Sequence, residues 1–448
     1  MTLTITKQQE QLQHRLNGSE QLIEQKLAKI EHYQANGGTA YVSVDPQLAL
    51  NSAIAVDKNR ASGFVPSSLA GLPVSIKDLF DVKGQVSTAG SVLFKSHTPA
   101  KIDAPVIQKL RQAGAVMIGR TNMSEFAFSG LGLNPHYGTP TYADNFTRIA
   151  GGSTSGGAVS VALGHAVAAL GSDTGGSLRI PAAFCGLVGF KPSCGRITTT
   201  GAFPLSYSFD TVGAITRSVE DCALVDSILS GQEHTQSYSA LNQLRFAITD
   251  DYVLDDADET VQQAYHSALD KLKASGAVIE KISFQELYDI PKINHAGGLT
   301  AAESWFIHRQ YLQNAEQQPL YDPRVAKRIT RGEVISAADY LAIQLARKNL
   351  IKQATGKLAQ YDAWLYPTVA IVPPLLAPLE QSEELFFATN ALALRNTTVM
   401  NFLNGCALSL PCHSPNQLPV GLSVAGLYNH DQKIIHISKL IERCLINL

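Results

Sequence analysis

Short apolar runs alternate with helical patterns between residues 71 and 216, and this alternation restricts the fold more than any other feature of the chain. Five runs have the length and residue types of buried strands, namely PVSIK, GAVMIG, HAVAAL, GLVGF and VGAIT. Helical spacing predicts helices over residues 104–113 and 156–163. Because strands that alternate with helices form a sheet covered on both faces, we predict an α/β fold with a large mixed, mostly parallel sheet and helices on both faces.

The segments on either side of this region have different patterns. Residues 1–65 carry apolar residues at loose helical spacing with a break at Asn17, which predicts an N-terminal helical segment packed on the core. Over residues 231–361 charge rises and glycine becomes rare, so we predict a mostly helical peripheral or cap region. Its helices are expected over residues 258–274, 300–312 and 336–360.

Strand patterns return after residue 361, in AWLYPTVAI, GCALSLP and GLSVAG. A final helix is predicted over residues 432–445. The C-terminal segment would therefore complete a sheet that begins in the first half of the chain. We expect residues 66–448 to form a single interleaved domain.

The composition argues against several classes of function. With a formal net charge of −2 the chain has no overall field that would attract nucleic acid or an anionic membrane, and we expect neither as a direct partner. Lys327, Arg328 and Arg331 form a local basic cluster, which we interpret as a solvated helix face. Neither the six cysteines nor the histidines show the paired spacing of a metal site, so we expect no metal and no other cofactor.

The expected location is the cytoplasm. The first residues, MTLTITKQQEQLQHRL, lack the apolar core of a signal peptide. No uncharged apolar run has the length that a bilayer-spanning helix needs. The cysteines are accordingly expected to be reduced.

Two serines flanked by glycine are the strongest candidates for chemistry. Ser153 and Ser177 lie 24 residues apart in GGSTSGGAVSVALGHAVAALGSDTGGSLRI. Glycine lets backbone N–H groups approach a ligand closely, and the residues before Ser177 offer consecutive N–H groups that can converge on one oxygen. Alternatively, the turn at Ser177 is a plain corner between a strand and a helix, and Ser153 is an N-cap.

Lys77 is the third candidate. It directly follows the apolar run LPVSI, and a lysine in apolar surroundings can lose its charge and act as a base. The alternative is an ordinary surface ion pair with Asp78. The chain has no G-x-S-x-G elbow and no Walker or dinucleotide fingerprint around these serines. Together, the lysine and the two serines describe acyl transfer.

These residues resemble the amidase signature family. The resemblance is strong over residues 69–216, in LAGLPVSIKDLFDVKG, AGAVMIGRTNMSEFAFSG, GGSTSGGAVSVALG and LGSDTGGSLRIPAAFCGLVGFKPSCG. It is moderate over residues 360–426, in AWLYPT and ALSLPCHSPNQLPVGLSVAG. It implies the amidase signature fold and a Ser-cisSer-Lys triad that needs no cofactor. Ser177 would be the nucleophile, and Ser153, held by a cis peptide after Gly152, would connect it to Lys77.

The same resemblance implies the surroundings of the triad. An oxyanion hole would be formed by the backbone N–H groups of Thr174, Gly175, Gly176 and Ser177. The acyl site would be lined by Ala127, Ser129 and Gly152. One departure concerns the first serine loop, which commonly reads GGSSGGS in the family and reads GGSTSGG here. Ser155 is therefore a rival for the bridging role, although the spacing favours Ser153.

The predicted activity is hydrolysis of the C–N bond of a small carboxamide, with release of ammonia or an amine through an acyl-serine intermediate. One alternative is the glutaminase-type A subunit of a tRNA-dependent amidotransferase. Residues 385–430 contain no Asp or Glu that could bind the α-amino group of glutamine, which argues against it. A non-catalytic scaffold is the alternative from another class. The partner expected is a small-molecule amide, and a homo-oligomer or a small partner subunit stays open.

Two features bear on the substrate. The aromatic cluster of Trp305, Phe306, His308 and Tyr311 could line a pocket for an apolar acyl group or could simply pack in the core. Arg395 could bind a substrate carboxylate or could lie on the surface. The sequence leaves both questions open.

Overall fold

The structure is a computed structural model that describes residues 4–13, 18–142, 146–233 and 240–446. Within these ranges, eleven strands form one sheet in the order β1-β3-β2-β4-β6-β5-β10-β11-β9-β7-β8. The strands are β1 (Tyr41–Ser43), β2 (Pro73–Lys77), β3 (Val116–Thr121), β4 (Ala168–Asp173), β5 (Val188–Lys191), β6 (Thr211–Thr216), β7 (Arg245–Ile248), β8 (Val278–Lys281), β9 (Ala363–Pro367), β10 (Cys406–Pro411) and β11 (Gly421–Gly426).

Helices account for most of the remaining described chain. They are α1 (Ile5–Gln13), α2 (Ser19–Ala35), α3 (Pro46–Ala61), α4 (Pro105–Gln112), α5 (Ser155–Ala162), α6 (Arg179–Phe184), α7 (Val219–Ser230), α8 (Glu259–Ala274), α9 (Asp289–Ile293), α10 (Gly298–Leu312), α11 (Pro323–Thr330), α12 (Ala337–Leu358), α13 (Leu376–Gln381), α14 (Glu383–Phe402) and α15 (Asp431–Ile446). The predicted break at Asn17, between α1 and α2, lies outside the described residues.

The predicted α/β class and the mixed sheet are confirmed, but the expected parallel majority is wrong. Four strand pairs are parallel and six are antiparallel. Five of the antiparallel pairs fill the middle of the sheet from β4 to β9, and the sixth joins β1 to β3 at one edge. A parallel pair needs a crossover of about a dozen residues or more, and the short connection between β10 and β11 is a hairpin loop instead. A run of apolar residues indicates a buried strand but not its direction.

Helices cover both faces of the sheet, as predicted. Successive side chains of a strand point to opposite faces. In β4, Ala168 and Leu170 belong to a core cluster that includes residues of α4, whereas Ala169 belongs to a cluster that includes residues of α5. All six residues of β4 are buried. Burial on both faces explains why this strand reads as a continuous apolar run.

Two segments that were predicted as helical also contribute strands. In the N-terminal segment, β1 pairs with β3 at one edge of the sheet. In residues 231–361, β7 and β8 extend the opposite edge. These strands are short, and β8 is largely exposed, so their apolar signal is weak. The long helix α14 lies where the sequence indicated mainly strands.

The topology brings the candidate residues to one place. β2 and β4 are adjacent and parallel, so their carboxyl ends meet at the same edge of the sheet. Lys77 is the last residue of β2, and the loop carrying Ser177 directly follows β4. The loop carrying Ser153 precedes α5, which packs on both strands.

Candidate active site

Lys77 is fully buried at the end of β2. Its Nζ lies 2.7 Å from Ser153 Oγ and 2.9 Å from Ser172 Oγ. Burial lowers the lysine pKa to about 7, although the carboxylates of Asp173 and Asp210 act in the opposite direction. A substantial fraction of the amine is therefore uncharged at neutral pH.

The alternative of a surface ion pair between Lys77 and Asp78 is excluded. Asp78 instead accepts a hydrogen bond from Arg120 Nε at 2.7 Å and is itself buried. It also accepts from the side chain of Thr88. The two neighbours in sequence thus serve different networks, because successive residues at this strand end point in opposite directions.

The structure distinguishes Ser153 from its rival Ser155. The peptide bond between Gly152 and Ser153 is cis, as the resemblance implied. The Ser153 hydroxyl contacts Lys77, whereas Ser155 Oγ lies 3.4 Å from the carbonyl oxygen of Asn122. Ser153 is also not an N-cap, since Thr154 occupies that position of α5. The lysine contact therefore belongs to Ser153.

Ser177 lies in the loop between β4 and α6 and lines a cavity of about 170 Å³. Its carbonyl oxygen accepts from the N–H of Thr154, which holds the two serine loops against each other. Within the described residues its hydroxyl has no hydrogen bond to Ser153. The side chain is almost fully buried, and it is the member of the candidate triad that lines the cavity.

The backbone of this loop offers three free N–H groups, one fewer than predicted. Gly176 donates its N–H to Asp173 Oδ1 at 2.9 Å, so this amide is not available to an oxyanion. The N–H groups of Thr174, Gly175 and Ser177 have no hydrogen-bond acceptor among the described residues, and these three residues line the cavity. Free N–H groups beside a nucleophile can stabilise a developing negative charge.

Asp173, at the end of β4, holds the loop that carries Ser177 in place. Its carboxylate accepts two hydrogen bonds from Arg179, at 3.0 and 2.9 Å, and both residues are fully buried. The amide of Asn401 donates to the same carboxylate at 2.9 Å. Although burial alone would raise the pKa of Asp173, the positive charge of Arg179 and these hydrogen bonds lower it to about 2. The carboxylate is therefore ionised at any working pH.

Several residues that support the site escaped the sequence analysis. Thr397 of α14 donates its hydroxyl to the Gly175 carbonyl at 2.6 Å, from more than 200 positions away in the chain. Asp210 accepts from Thr174 Oγ1 at 2.5 Å, and burial raises its pKa to about 6. Ser172 contacts Lys77 from within β4. No motif marks these residues in the sequence.

The cavity contains two of the three predicted acyl-site residues. Ala127 and Ser129 line it, and the Ser129 hydroxyl donates to Asn390 at 3.1 Å. Gly152 does not line it and donates its N–H to the Gly130 carbonyl at 2.8 Å. The other walls come from the start of α10, from α14, and from Arg328 and Arg331. The interpretation of this basic cluster as a solvated face holds for Lys327 and Arg331, which are exposed, but not for Arg328; Arg331 nevertheless also borders the cavity.

Neither substrate-related feature of the sequence reaches this cavity. His308 and Tyr311 pack against the rings of Phe126 and Phe94, so this part of the aromatic cluster belongs to the core. Trp305 packs against the same core, and Phe306 is exposed. None of the four lines the cavity.

Arg395 lies elsewhere too. It lies over the ring of Tyr252 and donates to the backbone carbonyl of Val253. It is not among the residues that line the cavity.

Known proteins match this chain along nearly its whole length. The sequence model of the amidase family matches residues 21–435. The chain is 34% identical to 2-amino-5-chloromuconic acid deaminase of Comamonas testosteroni, over 90% of this chain and 88% of that protein. It is 32% identical to mandelamide hydrolase of Pseudomonas putida, over 99% and 91%. A crystal structure of an amidase, 32% identical, matches with a TM-score of 0.90 over 99% of this chain and 100% of that one.

Proposed function

The chain belongs to the amidase family and is an amide hydrolase, and we propose that it cleaves a small carboxamide through Ser177, Ser153 and Lys77. The observation that carries this assignment is the contact of 2.7 Å between the buried Lys77 amine and the Ser153 hydroxyl. A buried amine with a pKa of about 7 can accept a proton at neutral pH. The site thus has a base without using histidine.

In the acylation step, uncharged Lys77 accepts the proton of Ser153 while Ser153 accepts the proton of Ser177. Ser177 Oγ forms a bond to the carbonyl carbon of the amide. The N–H groups of Thr174, Gly175 and Ser177 stabilise the negative charge on the carbonyl oxygen. The C–N bond then breaks, and the proton held by Lys77 returns through Ser153 to the departing nitrogen.

In the second step, water attacks the acyl-serine. Its proton passes to Ser153 and Lys77 as the new C–O bond forms, and it then returns to Ser177 as the ester bond breaks. The products are a carboxylic acid and the regenerated hydroxyl. Ser172, at 2.9 Å from Lys77, holds the amine in place throughout the cycle.

The cavity supports a stand-alone amidase over a glutaminase-type subunit. Glutamine carries an α-ammonium group, for which a complementary site needs a carboxylate. None of the residues that line the cavity is Asp or Glu. We therefore propose a free small-molecule amide as the substrate.

We also propose that the protein works in the cytoplasm. All six cysteines are unpaired, which suits a reducing compartment. In the described part of the chain, none of the helices has the length and apolar character that crossing a bilayer would require.

The test is ammonia release by the purified chain, with small aliphatic amides, aryl amides, ureido compounds, glutamine and asparagine. Ser177→Ala should abolish turnover, while circular dichroism shows the fold to be intact. Release from a non-amino-acid amide that is lost in this variant would support the proposal. Turnover of glutamine alone would favour the amidotransferase subunit, and full activity in Ser177→Ala would reject the nucleophile.

A further inference from the structure

We propose that the acyl part of the substrate carries a carboxylate, which Arg331 and Arg328 bind in the cavity that contains Ser177. This inference rests on the proposed function and specifies its substrate class, the monoamides of small dicarboxylic acids. Four observations carry it: the charge of the cavity wall, the partners of the two arginines, an uncapped helix end beside them, and the size of the cavity.

The cavity wall has positive charge without compensation. Arg328 and Arg331 are its charged lining residues, and no Asp or Glu lines it. Across the described chain, neither arginine forms an ion pair with a carboxylate. The neighbouring Lys327, which lies outside the cavity, does pair with Glu383. The planar guanidinium of arginine is well suited to bind a carboxylate through two parallel hydrogen bonds.

The two arginines are held by neutral partners that leave donors free. Arg328 Nη1 donates to the Phe128 carbonyl at 2.7 Å, and its guanidinium carbon lies 4.4 Å from the centre of the Phe128 ring. Arg331 Nη2 donates to the His295 carbonyl at 2.8 Å. A guanidinium has five N–H donors. Both side chains are therefore positioned, and both keep N–H groups that can bind an anion.

Burial makes the positive charge of Arg328 unfavourable until an anion is present. Burial and the neighbouring charge of Arg331 lower the pKa of Arg328 to about 10. Such a shift marks a positive group that neither solvent nor a counter-ion fully stabilises. A bound carboxylate would offset both causes at once.

The start of α10 adds to the positive potential. Gly297 is the N-cap of this helix and provides no side-chain hydrogen bond to the first N–H groups. Gly297, Thr300 and Ala301 all line the cavity. The first turn of a helix carries a partial positive charge that favours anions. Arg331 packs against Gly297, so the helix end and the guanidinium act on the same region.

The size of the cavity limits the acid. About 170 Å³ is less than the roughly 300 Å³ at which pockets for drug-sized ligands begin. This volume suits an acyl chain of a few carbons that ends in a carboxylate. Malonamate, succinamate and glutaramate form a series in which the distance from amide to carboxylate increases by one carbon at a time.

The test compares amides that differ only in charge. The value of kcat/KM is measured for succinamate and glutaramate and for their neutral diamides, succinamide and glutaramide. The wild-type enzyme should prefer the anionic member of each pair, and the preference should fall with increasing salt. In Arg331→Gln the preference should drop by roughly 10- to 100-fold, the range expected when a charge-assisted hydrogen bond is lost.

Lys327→Gln is the matched control, because it removes one positive charge four residues before Arg331, in α11 and outside the cavity. Its preference should equal that of the wild type. An unchanged preference in Arg331→Gln, or an equal drop in Lys327→Gln, would overturn the inference while leaving the amidase activity intact. Arg331 is exposed, so its replacement leaves the folded core untouched.

A binding measurement separates this inference from the proposed mechanism. Calorimetric titration of Ser177→Ala with succinamate and succinamide reports affinity without turnover. Tighter binding of succinamate, weakened by Arg331→Gln in the double variant, would support the carboxylate site even if the enzyme hydrolysed neither compound. Equal affinities for the two amides would overturn it even if both were hydrolysed.

Discussion

At the scale of single residues, the charge of Lys77 governs the reaction in the proposed mechanism, because only the uncharged amine can accept the proton of Ser153. Its pKa of about 7 means that this form increases as the pH rises through neutrality. We expect kcat/KM to rise about tenfold per pH unit below pH 7 and to level off above it. A neutral amide measured from pH 5 to pH 9 gives the profile. A flat profile between pH 5 and pH 8 would reject Lys77 as the base.

Ser153 and Ser155 provide a matched pair of variants. Ser153→Ala removes the hydroxyl that we propose transfers protons between Ser177 and Lys77, and it should lower kcat by about 10²- to 10⁴-fold, as expected for the loss of a proton-transfer group. Ser155→Ala removes only a long hydrogen bond of 3.4 Å and should change kcat much less. Single-turnover measurements of acylation compare the two. The opposite ranking would transfer the bridging role to Ser155.

The residues that the sequence identified are those marked by glycine or by a strand end. Lys77, Ser153 and Ser177 all belong to this group, and the structure brings them to one edge of the sheet. The supporting residues lack such a mark. Thr397 and Asp210 lie on segments distant in sequence and belong to no motif. The hydrogen bond that occupies the Gly176 N–H forms only in the folded loop, so residue spacing does not predict it.

At the scale of secondary structure, close contact between the first turn of α5 and the residues next to β1 and β3 holds the Ser153 loop. Gly156, in the first turn of α5, donates its N–H to the Asn122 carbonyl at 2.9 Å. A Cβ at this position would lie 2.1 Å from the Ala40 carbonyl oxygen and 2.7 Å from the Asn122 nitrogen. Both atoms belong to the backbone and cannot rotate away. The helix can therefore approach the sheet this closely only with glycine.

We expect Gly156→Ala to lower the free energy of unfolding by about 1–3 kcal/mol, the range typical of overpacking. It should also reduce kcat, because the helix would shift the loop that carries Ser153. Gly356→Ala is the control, since Gly356 lies in α12 with open space around it. There alanine should raise the free energy of unfolding by about 0.5–1 kcal/mol. Urea denaturation measures both, and a stabilising Gly156→Ala would contradict the close contact.

The sequence predicted which segments form strands better than it predicted how those strands pair. The runs PVSIK and VGAIT became β2 and β6 because burial on both faces leaves a clear apolar signal. Pairing direction depends on how the chain returns between strands, which an apolar run does not encode. The strands β7 and β8 were missed for a related reason: they lie at an edge, where one face stays partly exposed.

At the scale of the whole molecule, the site is built from both halves of the chain. The first half provides Lys77, Ser153 and Ser177, and β5 pairs with β10 to join it to the second half. Helix α14 of the second half then contacts Gly175, in the loop that carries Ser177, through Thr397, and it contacts Asp173 at the end of β4 through Asn401. The first half alone would have the proposed catalytic residues without the groups of α14 that hold the Ser177 loop. This interdependence favours one cooperative unit over a core with a separate cap.

The two tryptophans allow this unity to be tested. Trp305 lies in α10 and packs against the core cluster built mainly from the first half, whereas Trp364 is fully buried in β9 of the second half. In Trp364→Phe, fluorescence reports on Trp305 and its surroundings, and in Trp305→Phe it reports on the sheet around β9. If residues 66–448 unfold as one unit, the fluorescence midpoint in urea should coincide with the far-ultraviolet circular dichroism midpoint in each variant. A Trp305 transition at lower urea than the dichroism transition would instead identify residues 231–361 as an independent cap. Because each comparison is made within one variant, the loss of stability caused by either substitution does not affect the result.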